Sequence, residues 1–303
     1  MKHVITVLIL FIAFPSFGQT AEEYVQLGNT KFEQGDFPSA YSYFSQAIKL
    51  DKENAVAYYY RGRTNEKMLN FKKAISDYSS AISISPNFIE AYFNRGYAYD
   101  QIDDFKKAVQ DYSKAIELDP SDIDFYYFRG TSKIDLKDYE GAIADLSKGI
   151  ELDPNDVDFY VDRGVAKSEL GNSRSAIEDF TKAIELDPTD SYTYYERANE
   201  KAIINDTEGA VEDFSKAIEL DQENPNLYFQ RGLVRAKLFR HSQAISDFSK
   251  AIELKSNNST YYYYRAQSQK ELGNSSQVCQ DLKKARDLGF KGLSNDIKFY
   301  CGE

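Results

Sequence analysis

Seven arginines recur at a period of 34 residues, as between Arg95 and Arg129, and each is followed sixteen residues later by an aspartate. The couples are Arg61–Asp77, Arg95–Asp111, Arg129–Asp145, Arg163–Asp179, Arg197–Asp213, Arg231–Asp247 and Arg265–Asp281. Where the arginine register holds Leu27, the aspartate register holds Tyr43, so both charges vanish together, as expected of residues in contact. A guanidinium is a planar fork that fits a carboxylate bidentately. Such a series can recognise an anionic ligand or form a ladder of structural ion pairs, and the joint loss favours the ladder. Spacing leaves each aspartate two candidate partners, its own arginine or the next one, eighteen residues on.

Little else is equipped for catalysis. Beyond His3 the only histidine is His241, too few for a histidine-based metal site or a proton relay. CxxC, a glycine-rich phosphate loop and a nucleophile elbow are all missing. The sequence therefore predicts no catalytic residues, no cofactor and no metal. A net charge of −11 argues against a nucleic-acid partner and against adsorption to an anionic membrane. Two cysteines remain, Cys279 and Cys301. An even count in an exported chain suggests a disulfide, and two free buried thiols are the alternative.

The elements that position these residues follow from the same period. A fixed repeat of this length implies a solenoid of small supersecondary units rather than one large core. The units run 21–54, 55–88, 89–122, 123–156, 157–190, 191–224, 225–258 and 259–292. One column is Tyr in all of them, from Tyr24 and Tyr58 to Tyr262. Another is small, as in Gly28, Gly62, Gly96 and Ala198, and a third alternates among Phe44, Tyr78, Tyr112 and Leu146. Within a unit, Tyr92, Gly96 and Tyr99 fall at helical spacing, and so do Ala108, Tyr112 and Ala115. Gly35 and Gly171 mark the turn between two helices, and Pro120, Pro154 and Pro188 end the second.

These columns resemble the tetratricopeptide repeat, whose helix–turn–helix carries Trp or Tyr, Leu-Gly, Tyr, then Ala, Phe or Tyr, Ala and Pro. Tyr92, Gly96, Tyr99, Ala108, Tyr112, Ala115 and Pro120 match in one unit. The Leu before the Gly survives only as Leu27, and Gln222, Ser256 and Phe290 replace the closing Pro in the later units. The resemblance implies an all-α fold, a right-handed α-solenoid with a concave groove that binds a peptide or protein partner. Some members hold a C-terminal carboxylate with Lys and Asn on this face. Asn29 and Asn199 occupy the Asn position here, but Val25 and Tyr195 replace the Lys, so that activity is not expected.

On family geometry, the first helix of each unit lines the groove. The candidate face is Tyr59 and Arg63, Phe93 and Tyr97, Tyr127 and Ile134, Tyr195 and Asn199, then Phe229 and Tyr263. The same aromatic stripe reads equally well as packing between neighbouring first helices.

The two ends complete the organisation. Residues 1–18 combine Lys2, an apolar run from Val4 to Phe14, and small residues after Pro15, the layout of a cleaved secretory signal. The expected product is periplasmic or secreted, without membrane insertion after cleavage. Residues 293–303 read as a capping helix, with Ser294 as its cap and Leu293, Ile297 and Tyr300 facing the last repeat. The function expected is a non-enzymatic interaction scaffold. The alternative is a structural spacer or self-associating component of an envelope assembly.

Overall fold

The structure, a computed structural model, describes residues 19–302, and the expected signal segment 1–18 lies outside the described residues. Among the described residues there are seventeen helices and no strand. They fall into two compact blocks, divided after Pro120.

The first block holds three antiparallel helix pairs: α1 (Ala21–Glu33) with α2 (Phe37–Leu50), α3 (Ala55–Lys67) with α4 (Phe71–Ile84), and α5 (Ile89–Asp100) with α6 (Phe105–Leu118). The second holds five more pairs: α7 (Ile123–Asp135) with α8 (Tyr139–Leu152), α9 (Val157–Glu169) with α10 (Ser173–Leu186), α11 (Ser191–Ile203) with α12 (Thr207–Leu220), α13 (Pro225–Lys237) with α14 (His241–Leu254), and α15 (Ser259–Glu271) with α16 (Ser275–Asp287). The short α17 (Ser294–Cys301) packs on α16. Within each block, α1 meets α3, α3 meets α5, α7 meets α9, α9 meets α11 and α13 meets α15, whereas even-numbered helices make no comparable contact with one another. The odd-numbered layer is the more closely gathered of the two.

Local chemistry starts and stops these helices. Asp36, Asn54, Asp138 and Asp206 each accept a backbone N–H of the first turn, satisfying donors that have no partner inside the helix. Each hairpin turn passes through one left-handed residue. It is Gly at 35, 171 and 273, but Leu69, Asp103, Lys137, Asn205 and Phe239 adopt the same conformation in the other repeats. The chain then closes with paired bonds such as Asn70 N–H to Asn65 C=O and Leu69 N–H to Glu66 C=O.

Each pair is filled by one large side chain among small ones. Phe44, Tyr78, Leu146, Phe180 and Phe248 are fully buried, flanked by alanines such as Ala40, Ala74 and Ala176 that are fully buried too. The small column of the first helix is a steric necessity: a Cβ on Gly62 would stand 2.6 Å from the Tyr78 ring. At the end of the second block, Leu293 and Ile297 close the core of the last pair against Tyr262, Val278 and Leu282. Cys279 of α16 and Cys301 of α17 are joined by a disulfide. Ser294 is the first residue of α17 and makes no capping bond, with Leu293 in the cap position. His241 opens α14. No helix among the described residues is long and apolar enough to cross a membrane.

Candidate functional site

The arginines lie on the odd-numbered helices and the aspartates on the even-numbered partners, so each hairpin brings Arg and Asp of the same repeat face to face. Arg95 donates from Nε and Nη2 to the two oxygens of Asp111, both at 2.7 Å. The fork recurs as Arg61 on Asp77, Arg129 on Asp145, Arg163 on Asp179, Arg197 on Asp213, Arg231 on Asp247 and Arg265 on Asp281. The aspartates are buried, between 3% and 5% exposed. Of the two candidate partners, each carboxylate therefore takes the arginine of its own repeat.

Two further columns complete the ladder, and neither was read in the sequence. The third guanidinium nitrogen, Nη1, reaches back to a hydroxyl on the preceding even-numbered helix: Arg95 to Ser79 at 3.0 Å, Arg163 to Ser147 at 2.9 Å, Arg197 to Thr181 at 3.1 Å and Arg265 to Ser249 at 3.0 Å. That Ser or Thr recurs two residues after six of the seven aspartates, with Lys283 after the last, a periodic signal visible beforehand. One turn after the arginine comes the second column. There Lys133, Lys167, Lys201 and Arg235 place a second cation on Asp145, Asp179, Asp213 and Asp247 at 2.7–2.8 Å. Asn65 fills the same place beside Asp77. Each of these arginines also lies over the tyrosine three residues before it, as Arg163 does over Tyr160 at 5.7 Å. With ring, carboxylate and hydroxyl engaged, these guanidinium groups are committed to holding one repeat to the next.

The candidate face divides. In the first block, Tyr59 is buried, packs on Phe88 with ring centroids 4.8 Å apart, and accepts a bond from Asn94. Arg63 lies over Phe32 at 5.1 Å, Phe93 packs on Tyr112, and Tyr97 is half-buried. In the second block, Phe229 packs on Phe248 and Tyr261, Tyr263 stacks on Phe290 at 4.3 Å, and Ile134 is half-buried. Much of the stripe is thus engaged between helices.

Tyr127, Tyr195 and Asn199 belong to a different neighbourhood. Tyr195 packs on Phe214 and its hydroxyl accepts from Asn226 at 3.2 Å. Tyr195 and Asn226, with Asp190, Asp221 and the exposed Tyr192, line a cleft of about 360 Å³ between the N-terminal ends of α11 and α13. Tyr192 also borders the seam between α9 and α11, which is acidic. Tyr127 stands beside Asp162, and Tyr192 and Asn199 stand beside Glu196. Burial pushes Asp162 up to about 6; the neighbouring Tyr127 opposes this and the charges of Asp158 and Asp135 add to it. Burial also raises Glu196, with Tyr192 and Asn199 opposing and the charges of Glu200 and Glu169 adding. Glu200, missed in the sequence, is 3% exposed; Ser168 Oγ donates to its Oε1 at 2.5 Å, and its Oε2 has no partner. Its column holds small residues in other repeats, such as Ala98, Ser132 and Ala166, so a carboxylate there stands out by position rather than by motif.

Family models for the tetratricopeptide repeat match residues 21–54, 89–122, 157–190 and 225–258, and a TPR repeat model matches 70–103, 130–171 and 198–238. No curated protein is similar enough to register a match. Among solved structures, the C-terminal part of a TPR repeat-containing protein from Cytophaga hutchinsonii is 18% identical over 78% of this chain and 97% of that one, with a TM-score of 0.69. A tetratricopeptide repeat protein from Parabacteroides merdae is 23% identical over 83% of this chain and 99% of its own, with a TM-score of 0.59. YrrB, described as a TPR protein with an unusual peptide-binding site, is 24% identical over 59% of this chain and 92% of its own, with a TM-score of 0.54. At these identities the likeness is one of fold.

Proposed function

The chain belongs to the tetratricopeptide repeat family, and on that premise we propose that it is a non-enzymatic scaffold that holds a peptide or protein segment on the face of its odd-numbered helices. The observation that carries this reading is the cleft between α11 and α13. It offers an exposed aromatic ring, Tyr192, beside carboxylates and the Asn226 amide, next to a helix whose Arg197 and Lys201 are tied into the ladder. A concave site with a few convergent polar groups is the usual form of a ligand site, and Tyr supplies rigid contact area with a hydroxyl. YrrB, of the same fold, is described as having a peptide-binding site. An oxidising, exported compartment agrees with the Cys279–Cys301 bond and with the character of residues 1–18.

A second reading has its own observation. Phe239 is 86% exposed and Leu69 74% exposed, both at hairpin turns, away from the odd-numbered face. Large exposed apolar side chains mark contact surfaces, which favours self-association within an assembly. Affinity capture with the chain lacking residues 1–18 separates the two. A partner lost on Tyr192→Ala but retained on Phe239→Asp supports the cleft. A partner, or a second copy of the chain, lost only on Phe239→Asp supports the structural role and overturns the cleft.

A further inference from the structure

We propose that the segment bound on this face carries a lysine or arginine, and that its cation enters the seam between α9 and α11 among Asp162, Glu196 and Glu200. The inference rests on the groove-binding reading above and specifies the charge of the occupant.

Charge bookkeeping inside the chain singles out this seam. The seven aspartates of the ladder are buried, and each has an arginine within 2.7 Å. In contrast, Asp158, Asp162, Glu196 and Glu200 meet no lysine or arginine within 4.0 Å, although only Asp158 is exposed. The charges acting on Asp162 and Glu196 are other carboxylates: Asp158 and Asp135 on the one, Glu200 and Glu169 on the other. Buried carboxylates are ordinarily paired or fully hydrogen-bonded. Glu200 departs from that rule, since Oε1 has the Ser168 hydroxyl and Oε2 has nothing. Among the described residues no lysine or arginine supplies a counter-charge here, so the seam is complementary to one brought from outside.

The surroundings select the kind of cation. No three of the described His, Cys, Asp and Glu residues are grouped to hold a metal ion, so a compact divalent ion finds no ligand cage. An ammonium or guanidinium on a flexible stem has different needs: separated carboxylates and an aromatic face. Tyr192 supplies the face, 49% exposed at the rim shared by seam and cleft, where a cation over the ring is favoured. The cleft beside it has room for the backbone from which such a side chain extends.

The test uses two fluorescein-labelled Gly-Ser octapeptides, one bearing two lysines and one bearing two glutamates. They are titrated against the chain lacking residues 1–18 and two charge-matched variants. Asp162→Asn/Glu196→Gln removes two of the three carboxylates of the seam. Glu178→Gln/Glu212→Gln removes the same charge from exposed sites on α10 and α12. The expected result is binding of the lysine peptide alone, weakened about tenfold or more by the seam variant and less than about twofold by the control, with both variants melting cooperatively. Equal weakening by both variants means that the overall acidity of the chain attracts the peptide, and overturns the seam. Binding of either peptide that falls on Tyr192→Ala yet ignores both carboxylate pairs overturns the seam while leaving the groove reading intact. Failure of both peptides to bind, while an affinity-captured partner binds independently of Tyr192, overturns both.

Discussion

Lys167 Nζ lies 2.7 Å from Asp179 Oδ2, on a carboxylate whose other oxygen already takes Arg163, whereas Asp111 has Arg95 as its one cation because Tyr99 stands where the lysine would be. Burial raises the Asp111 carboxyl, with Arg95 opposing. Removing an arginine should therefore not cost the same in the two repeats. Arg95→Met leaves a buried charge alone and is expected to cost about 3–5 kcal/mol, whereas Arg163→Met leaves Lys167 in place and is expected to cost about half as much. Urea unfolding of the two variants makes the comparison. Arg95→Met/Asp111→Leu should recover most of the loss, since an ion pair replaced by apolar side chains is often close to neutral. Equal costs in the two repeats would show that the second cation carries no weight.

Gly149 marks the one described repeat in which the second helix has no side chain at its closest approach to the next pair. A Cβ there would stand 1.9 Å from Cε1 of Phe159, a ring only 1% exposed. Sister positions hold Ala47, Ala81, Ala183, Ala217 and Ala251, all fully buried. The facing residue is one difference, since Thr193 occupies in the next repeat the place that Phe159 has in this one, although Tyr261 fills that place in the repeat after Ala251. Gly149→Ala is expected to cost about 1–3 kcal/mol from overpacking, outweighing the roughly 1 kcal/mol that alanine gains over glycine in a helix. Gly149→Ala/Phe159→Thr copies the next repeat and should restore part of that stability. Thermal melts of the three variants decide it, and a stabilising Gly149→Ala would refute the fit.

The helices and their ends were legible because the repeat supplies its own alignment. Helical spacing, Asp and Asn caps and the closing prolines act locally, so the odd-numbered helices begin at Ala21, Ala55, Ile89 and onward as the columns indicate. The turn residue was legible only in part. Gly35 and Gly171 announce a left-handed position, but Leu69, Lys137 and Phe239 adopt it too, because the bonds closing each hairpin outweigh a conformational cost of about 1–2 kcal/mol. The ladder's second and third members stayed hidden for another reason. Ser79 and Lys167 belong to residue types common on solvated helix faces, and only the direction of the arginine side chain gives them a role. The acidic seam was less legible still. Asp162 and Glu196 share a column that is uncharged in the neighbouring repeats, as Asn94, Phe128 and Gln230, and Glu200 sits in another, so the repeat pattern does not mark the three as a set. What does connect them is the close approach of α9 to α11, which the sequence does not state.

Asp162 should leave a signature in the pH dependence of stability. Burial first, with the charges of Asp158 and Asp135 adding and the neighbouring Tyr127 opposing, brings its carboxyl from the ordinary value near 3.8 up to about 6 in the folded chain. Between those values the folded state holds more protons than the unfolded one, so stability contributed by this residue falls as pH rises. The contribution is fully present below about pH 4 and lost by about pH 7, on the order of 1–3 kcal/mol for a shift of this size. Other carboxylates titrate in the same range, and a single variant isolates the one in question. Asp162→Asn cannot ionise, so its stability relative to the parent chain should improve from pH 4.5, most steeply near pH 5, and level off by about pH 7. Denaturant unfolding at four or five pH values gives that difference curve. A curve that is flat, or that slopes the other way, would mean that Asp162 remains charged throughout and that its surroundings stabilise the anion. A bound lysine or arginine would have the same flattening effect on the parent chain, so the slope measured with and without the lysine peptide also reports whether a cation has reached the carboxylate.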